Sequence, residues 1–296
     1  MVRQGYLATL IAFGVLLAGC GRQTGSGSVD PGPVPGATEA SRPLAPEKLV
    51  GSWTIADVDD PGAGKNLRLA PSELHLIGSR CGTLGGSWRA DVDGVFLADI
   101  DSASSLVVEG IPGCESAGQD VPGWLRRVTA YRLDGRGLPV LLDDLARPVA
   151  RLIPGATPTA GPDTAASELA PPVVTDAARR ALAPAAPLPA ALTPVDRRRL
   201  VGRWAPTDGH KEAYVEFTAD GEWRGSDGCN DDSGRWITAA GGTLLATAGA
   251  VTLAYCAASV PVGAWLWTAR RAGFEGDVLV LLDAQRKEAG RLRAAD

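Results

Sequence analysis

Cys229 lies in the run Ser226-Asp227-Gly228-Cys229-Asn230-Asp231-Asp232-Ser233-Gly234-Arg235-Trp236, among three aspartates, an asparagine and two glycines. Residues of these types could make a nucleophile, a metal site, or one half of a disulfide in a tight turn. A nucleophilic thiolate needs a base within hydrogen-bond reach, and the chain holds two histidines, His75 and His210. His210 belongs to a turn-like Pro206-Thr207-Asp208-Gly209-His210 stretch, and His75 is far away in sequence. Zinc sites pair Cys or His at short spacings, and no CxxC or HxxxH pattern occurs. Calcium loops follow D-x-[DN]-x-[DN]-G closed by a glutamate, a spacing that Asp227, Asp231 and Asp232 do not keep. A solvated turn, in which Asp and Asn accept backbone N–H bonds and Gly supplies positive φ, suits all of these residues. The run nominates no catalytic residue, no cofactor site and no metal ligand.

The role of the cysteine depends on where the chain is sent. Arg3 precedes 6–19, an apolar stretch too short to span a bilayer comfortably, which ends in Leu17-Ala18-Gly19-Cys20. That ending resembles the lipobox of bacterial lipoproteins, in which small residues precede a cysteine that becomes the lipidated first residue of the mature chain. The resemblance implies a signal peptide over 1–19 and lipidation at Cys20. It also implies a protein anchored to the cell membrane on its extracytoplasmic face, in an oxidising space. The formal charge of −5 is spread without long blocks of one sign, so nucleic acid is not an expected partner.

Residues 20–45 are rich in Gly, Ser and Pro and read as a flexible tether. Residues 154–195, rich in Pro and Ala, read as a second linker, extended and semi-rigid, whose prolines leave a helix only over Thr175–Leu182. The remaining segments, 46–153 and 196–296, read as two diverged copies of one module. Lys48-Leu49-Val50-Gly51-Ser52-Trp53 matches Arg199-Leu200-Val201-Gly202-Arg203-Trp204. Cys81 and Cys229 each precede a tryptophan, Trp88 or Trp236, by seven residues. Cys114 precedes Trp124 by ten residues, and Cys256 precedes Trp265 by nine. Near the end of each copy, eight residues separate Asp143 from Arg151 and Asp283 from Arg291. With Cys20 set aside for lipidation, each copy keeps two cysteines. In an exported chain the simplest use is one disulfide per copy, Cys81–Cys114 and Cys229–Cys256.

These residues must be positioned mainly by short strands. Val215 and Phe217 alternate with Tyr214 and Glu216 before an Asp220-Gly221 turn, which predicts a hairpin. Further short apolar runs follow, separated by Gly. Val262, Trp265 and Leu266 fall at helical spacing and predict one helix. The expected fold is mainly β: two small antiparallel barrels or sandwiches, each with one short helix, joined by the Pro/Ala-rich linker.

The second copy resembles the META domain, also called the HslJ-like domain. The matching positions are Asp220, Gly221, Gly225, Gly228, Cys229, Asn230, Gly234, Trp236, Thr252 and Cys256. The first copy departs from that motif, with Arg80-Cys81-Gly82 in place of Gly228-Cys229-Asn230, and joins the comparison through the repeat. The resemblance implies a non-enzymatic module of bacterial envelope lipoproteins, with no established catalytic residues and a loose association with stress tolerance. It points to a tethered pair that binds an envelope ligand or protein, with avidity for a repeated target and Trp223 or Trp267 as candidate contacts. The Gly51-Ser52-Trp53 and Gly202-Arg203-Trp204 openings also resemble those of lipocalins and of small barrel-shaped protease inhibitors. That likeness implies an alternative, a carrier of a small ligand or an inhibitor. In those folds the tryptophan packs against one barrel end, the role expected of Trp53 and Trp204.

Overall fold

The computed structural model describes residues 44–59, 66–79, 82–103, 122–158, 166–249, 254, 256 and 259–295. In it, Trp53 and Trp204 occupy the same point of two β-barrels. A short turn of helix, Pro46–Leu49 or Arg197–Leu200, ends in a leucine whose carbonyl accepts the indole N–H four residues on, at 2.8 Å in both cases. The strand that follows then carries the tryptophan ring into the core, so the repeated Leu-Val-Gly-x-Trp is a device for starting a barrel.

The first barrel runs through β1 (Gly51–Ala56), β2 (Asn66–Leu69), β3 (Glu73–Ser79), β4 (Gly82–Ala90) and β5 (Phe96–Ala103). After helix α1 (Gly123–Arg126) come β6 (Ala130–Leu133), β7 (Pro139–Leu142) and β8 (Pro148–Pro154). The antiparallel order is β5-β4-β3-β2-β1-β8-β7-β6, and the ends of the sheet meet at a bridge between Val95 and Ala130. Within the linker lie α2 (Ala166–Leu169), α3 (Asp176–Ala181) and β9 (Thr193–Pro194). The second barrel follows α4 (Arg197–Leu200) with β10 (Gly202–Pro206), β11 (Tyr214–Phe217), β12 (Glu222–Ser226), β13 (Asp231–Ala239) and β14 (Thr243–Ala246). Helix α5 (Val262–Thr268) then leads to β15 (Arg271–Glu275), β16 (Val278–Leu282) and β17 (Glu288–Ala294). Pairing of β14 with β15 closes this eight-stranded ring at Thr243 and Arg271, the positions equivalent to Val95 and Ala130. Closure removes the open edges that invite aggregation.

The two copies agree in register. Trp88 pairs with Ala98 and Trp236 with Ala246. Asp143 and Asp283 each take two backbone N–H bonds on one carboxylate oxygen, from Leu145 and Arg147 in one turn and from Gln285 and Lys287 in the other. Both turns put a non-glycine residue at positive φ, Ala146 at 58° and Arg286 at 68°, held there by these bonds. Each barrel interior is packed with its own side chains, including Trp53, Trp88, Phe96, Trp124 and Tyr131 in the first and Trp204, Phe217, Trp223, Trp236 and Phe274 in the second.

The barrels dock through the same face. Leu97 and Leu245, which are equivalent, share one small apolar cluster with Val95. Thr247 Oγ1 donates to Asp99 Oδ2 at 3.1 Å, again between equivalent positions. The carbonyls of Arg126 and Trp267, each two residues after the helical tryptophan, both accept from an arginine of the other barrel, Arg235 and Arg89 respectively. Equivalent residues meeting one another define an approximate two-fold axis, the arrangement of an isologous dimer made within one chain.

The linker does not stand free, and it is less extended than expected: besides α3, inside the Thr175–Leu182 stretch, it forms the short helix α2 before Pro171 and Pro172 end it. Thr175 caps α3, its hydroxyl accepting from Ala178 N at 3.1 Å. Leu182 is buried in the core of the first barrel, while Leu188 and Leu192 cover Val278, Val280 and Leu282 of the second. Thr193 and Pro194 then pair with β15.

Candidate functional site

The Cys229 loop is built as a turn. Asp227 Oδ1 accepts from the backbone N–H of Cys229 at 2.7 Å and of Asn230 at 2.6 Å, and Asp227 Oδ2 accepts from Asn230 Nδ2 at 3.2 Å. These bonds stabilise the charged carboxylate and hold its pKa below the usual range, although burial opposes them. The buried Asn230 side chain clamps Ala254 from both sides, donating to its carbonyl at 3.0 Å and accepting from its N–H at 2.8 Å. Cys229 is joined to Cys256, with Cα atoms 6.1 Å apart, closing a loop across 27 residues. Chain entropy alone gives such a closure roughly 3–4 kcal/mol of stabilisation.

Gly228 has φ of 93°, and a Cβ there would lie 2.4 Å from His210 Nδ1. His210 therefore packs over the loop, a neighbour the sequence spacing did not suggest, but the sulfur beside it is committed to the disulfide. The three aspartates diverge: Asp227 turns inward to its loop, Asp231 pairs in the ladder with Ser226, and Asp232 lies under the start of α5. Gly234 lets the backbones of β13 and β14 approach, since a Cβ would meet the Thr247 carbonyl at 2.3 Å. Trp236 donates to the Glu222 carbonyl at 2.8 Å and packs edge-on against Phe217. Cys20, Cys81, Cys114 and Thr252 lie outside the described residues. Of the two candidate contact aromatics, Trp223 is buried and bonded to the Thr247 carbonyl, so it is a core residue. Trp267 is half-buried beneath the Arg89 guanidinium, 4.6 Å from its ring centre.

Among the described residues, three cavities lie where the barrels meet. On one side, the turn of Pro71 and Ser72 and the strand at Trp88 face Trp267, Thr268 and Asp283 around a cavity of about 350 Å³. On the other side the equivalent pieces, the Asp220–Gly221 turn and Trp236, face Arg126, Arg127 and Asp143 around a cavity of about 510 Å³. A further cavity of about 570 Å³ adjoins this second side and shares Arg126, Asp220 and Arg235 with it.

The second side gathers many charged side chains around an apolar patch of Leu97, Trp236 and Ile237. An Arg126–Glu222 ion pair crosses between the barrels there. Arg197 lies over the Trp236 ring at 5.1 Å, and Arg147 grips Asp143 at 2.7 Å. Arg235 forms its buried floor, donating to the carbonyls of Ala98 at 2.7 Å and Arg126 at 2.8 Å. Nearby Asp99 has its pKa raised by burial, against the hydrogen bond from Thr247. Arg127 and Asp144 are exposed on the rim and have no partner among the described residues.

Sequence reasoning passed over this cleft. Its only local trace is the Arg126-Arg127 pair after the helical tryptophan, which acquires meaning once two distant barrels are placed face to face. Comparison with protein-family models, with curated proteins and with solved structures finds no match to this chain.

Proposed function

We infer that the protein is a membrane-anchored, non-enzymatic envelope lipoprotein whose tandem META-like barrels act as one rigid body that binds an envelope component at the barrel junction. The observation that carries this reading is the open, charge-lined cleft on one side of the junction, held by arginines that reach across the axis. The residues that first suggested chemistry support a non-catalytic role, because Cys229, Asp227 and Asn230 are spent on a disulfide, a turn and a backbone clamp. The filled barrel interiors favour this scaffold over a lipocalin-like carrier, whose ligand would need interior space. Lipidation at Cys20 and an extracytoplasmic location follow from the lipobox-like ending and belong to the same proposal.

The test compares the full-length protein with its Cys20→Ala variant, by membrane fractionation and by sedimentation with washed envelope fragments. The variant should leave the membrane yet still sediment with envelope fragments above a denatured control. Retention in membranes defeats the anchor, and absence of sedimentation defeats the binding reading.

A further inference from the structure

Among the described residues, the linker touches one of the two related sides of the junction. There Ala170 O accepts from Arg68 Nε at 2.9 Å, and Ala181 O accepts from Arg270 Nη1 at 2.9 Å. Leu182 enters the first barrel's core, and Ala186 N donates to Ala284 O at 2.9 Å. Arg180, Ala181 and Leu182 form one wall of the smaller cavity. On the opposite side, every described residue lining the cleft belongs to the barrels, to α4, or to α1 and the segment leading from it. Among the described residues the molecule thus has two related clefts, and its own linker walls one and narrows it.

The differences between the copies indicate what the second cleft accepts. Thr268 and Ala284, neutral where the linker lies, are replaced by Arg127 and Asp144 on the open side. Both charges lack a partner among the described residues, whereas their neighbours Arg126, Arg147 and Arg197 are engaged. Unpaired opposite charges on one rim select a ligand that offers both signs and disfavour one that offers a single sign.

We propose that the open cleft takes a segment of a second polypeptide, seated against the junction as the linker residues Arg180–Leu182 are seated on the opposite side, and that it selects a segment bearing both an acidic and a basic side chain. This rests on the binding reading above and specifies its partner.

The test titrates the full-length protein in detergent with a synthetic peptide of residues 166–182, which carries Glu168, Asp176, Arg179 and Arg180. A second peptide carries Glu168→Gln, Asp176→Asn, Arg179→Gln and Arg180→Gln. The charged peptide should bind at one site, and the neutral peptide about tenfold more weakly. A protein with Arg127→Gln and Asp144→Asn should lose about tenfold in affinity for the charged peptide while keeping its unfolding midpoint. Both residues are exposed, so folding is not at stake. Absence of saturable binding, or an affinity unchanged in the double variant, overturns the proposal. If the wild type still sediments with envelope fragments but binds no peptide, the polypeptide assignment alone falls. If it does neither, the binding reading falls with it.

Discussion

Asp143 and Asp283 hold their turns with the same four hydrogen bonds, whereas residues 99 and 247, equally matched in position, are an aspartate and a threonine bonded to each other. The first kind of position works inside one barrel, so each copy needs the same chemistry. The second kind lies by the axis between them. In a symmetric dimer an aspartate there would face its own copy, and two buried carboxylates would repel. Joining the copies in one chain lets the positions differ, so that an acceptor meets a donor. The same freedom allows one cleft to be walled by the linker while its counterpart carries Arg127 and Asp144 on its rim.

The sharpest way to break the comparison is at Gly86 and Gly234, which keep the same close approach in both barrels. A Cβ at Gly86 would lie 1.9 Å from the Asp99 carbonyl, and at Gly234 it would lie 2.3 Å from the Thr247 carbonyl. Both obstacles are backbone in a paired strand, which cannot swing aside. Gly86→Ala and Gly234→Ala should each cost about 3 kcal/mol or more, measured by urea unfolding. If the docked barrels form one cooperative unit, either change destroys a single shared transition. A surviving second transition would show that the barrels fold independently and that the junction is weak.

The repeat itself was legible because its landmarks, Trp53 with Trp204 and Asp143 with Asp283, owe their roles to contacts a few residues away. Alternation also revealed the strands, and read strictly it places Trp223 inward with Gly225, both buried. What could not be read is non-local. Arg235 looks like an ordinary polar residue before a motif tryptophan, yet its partners, Ala98 and Arg126, lie 137 and 109 residues away. Leu182 sits in a tract rich in proline, and nothing in that pattern tells that one leucine enters the core of the barrel upstream of it. The composition of the linker marked the α3 stretch but neither α2 nor the packing.

Leu182 therefore separates a structural strap from a passive connection. The side chain is 5% exposed, and its loss leaves a cavity beside the first barrel's core. Leu182→Ala should destabilise by about 2–3 kcal/mol in urea unfolding followed by tryptophan fluorescence. A loss within about 0.5 kcal/mol, the range for an ordinary surface change, would reduce the linker to a spacer and remove the contrast between the two clefts.

The smallest expected effect concerns Asp232, which stands where the first barrel has the buried Leu84. Its carboxylate lies so close beneath α5 that a Cβ on Gly263 would be 1.8 Å from Oδ2. Burial pushes its pKa up to about 6, with the Asp227 charge adding to the rise and the bond from Ser233 N opposing it. Because the folded value exceeds the unfolded one, the native state holds a proton that the unfolded chain has released between about pH 4 and pH 6. This group's contribution is therefore most favourable below that window, falls as pH rises through it, and stays at its lowest level above. Asp232→Asn keeps an oxygen for Ser233 N but removes the charge. It should raise stability at pH 7.5 by about 1 kcal/mol, allowing for solvent screening of a half-buried group, and leave it nearly unchanged at pH 4. Urea midpoints at the two pH values decide the matter. An equal change at both would mean that shape, not charge, distinguishes Asp232 from the leucine in the other barrel.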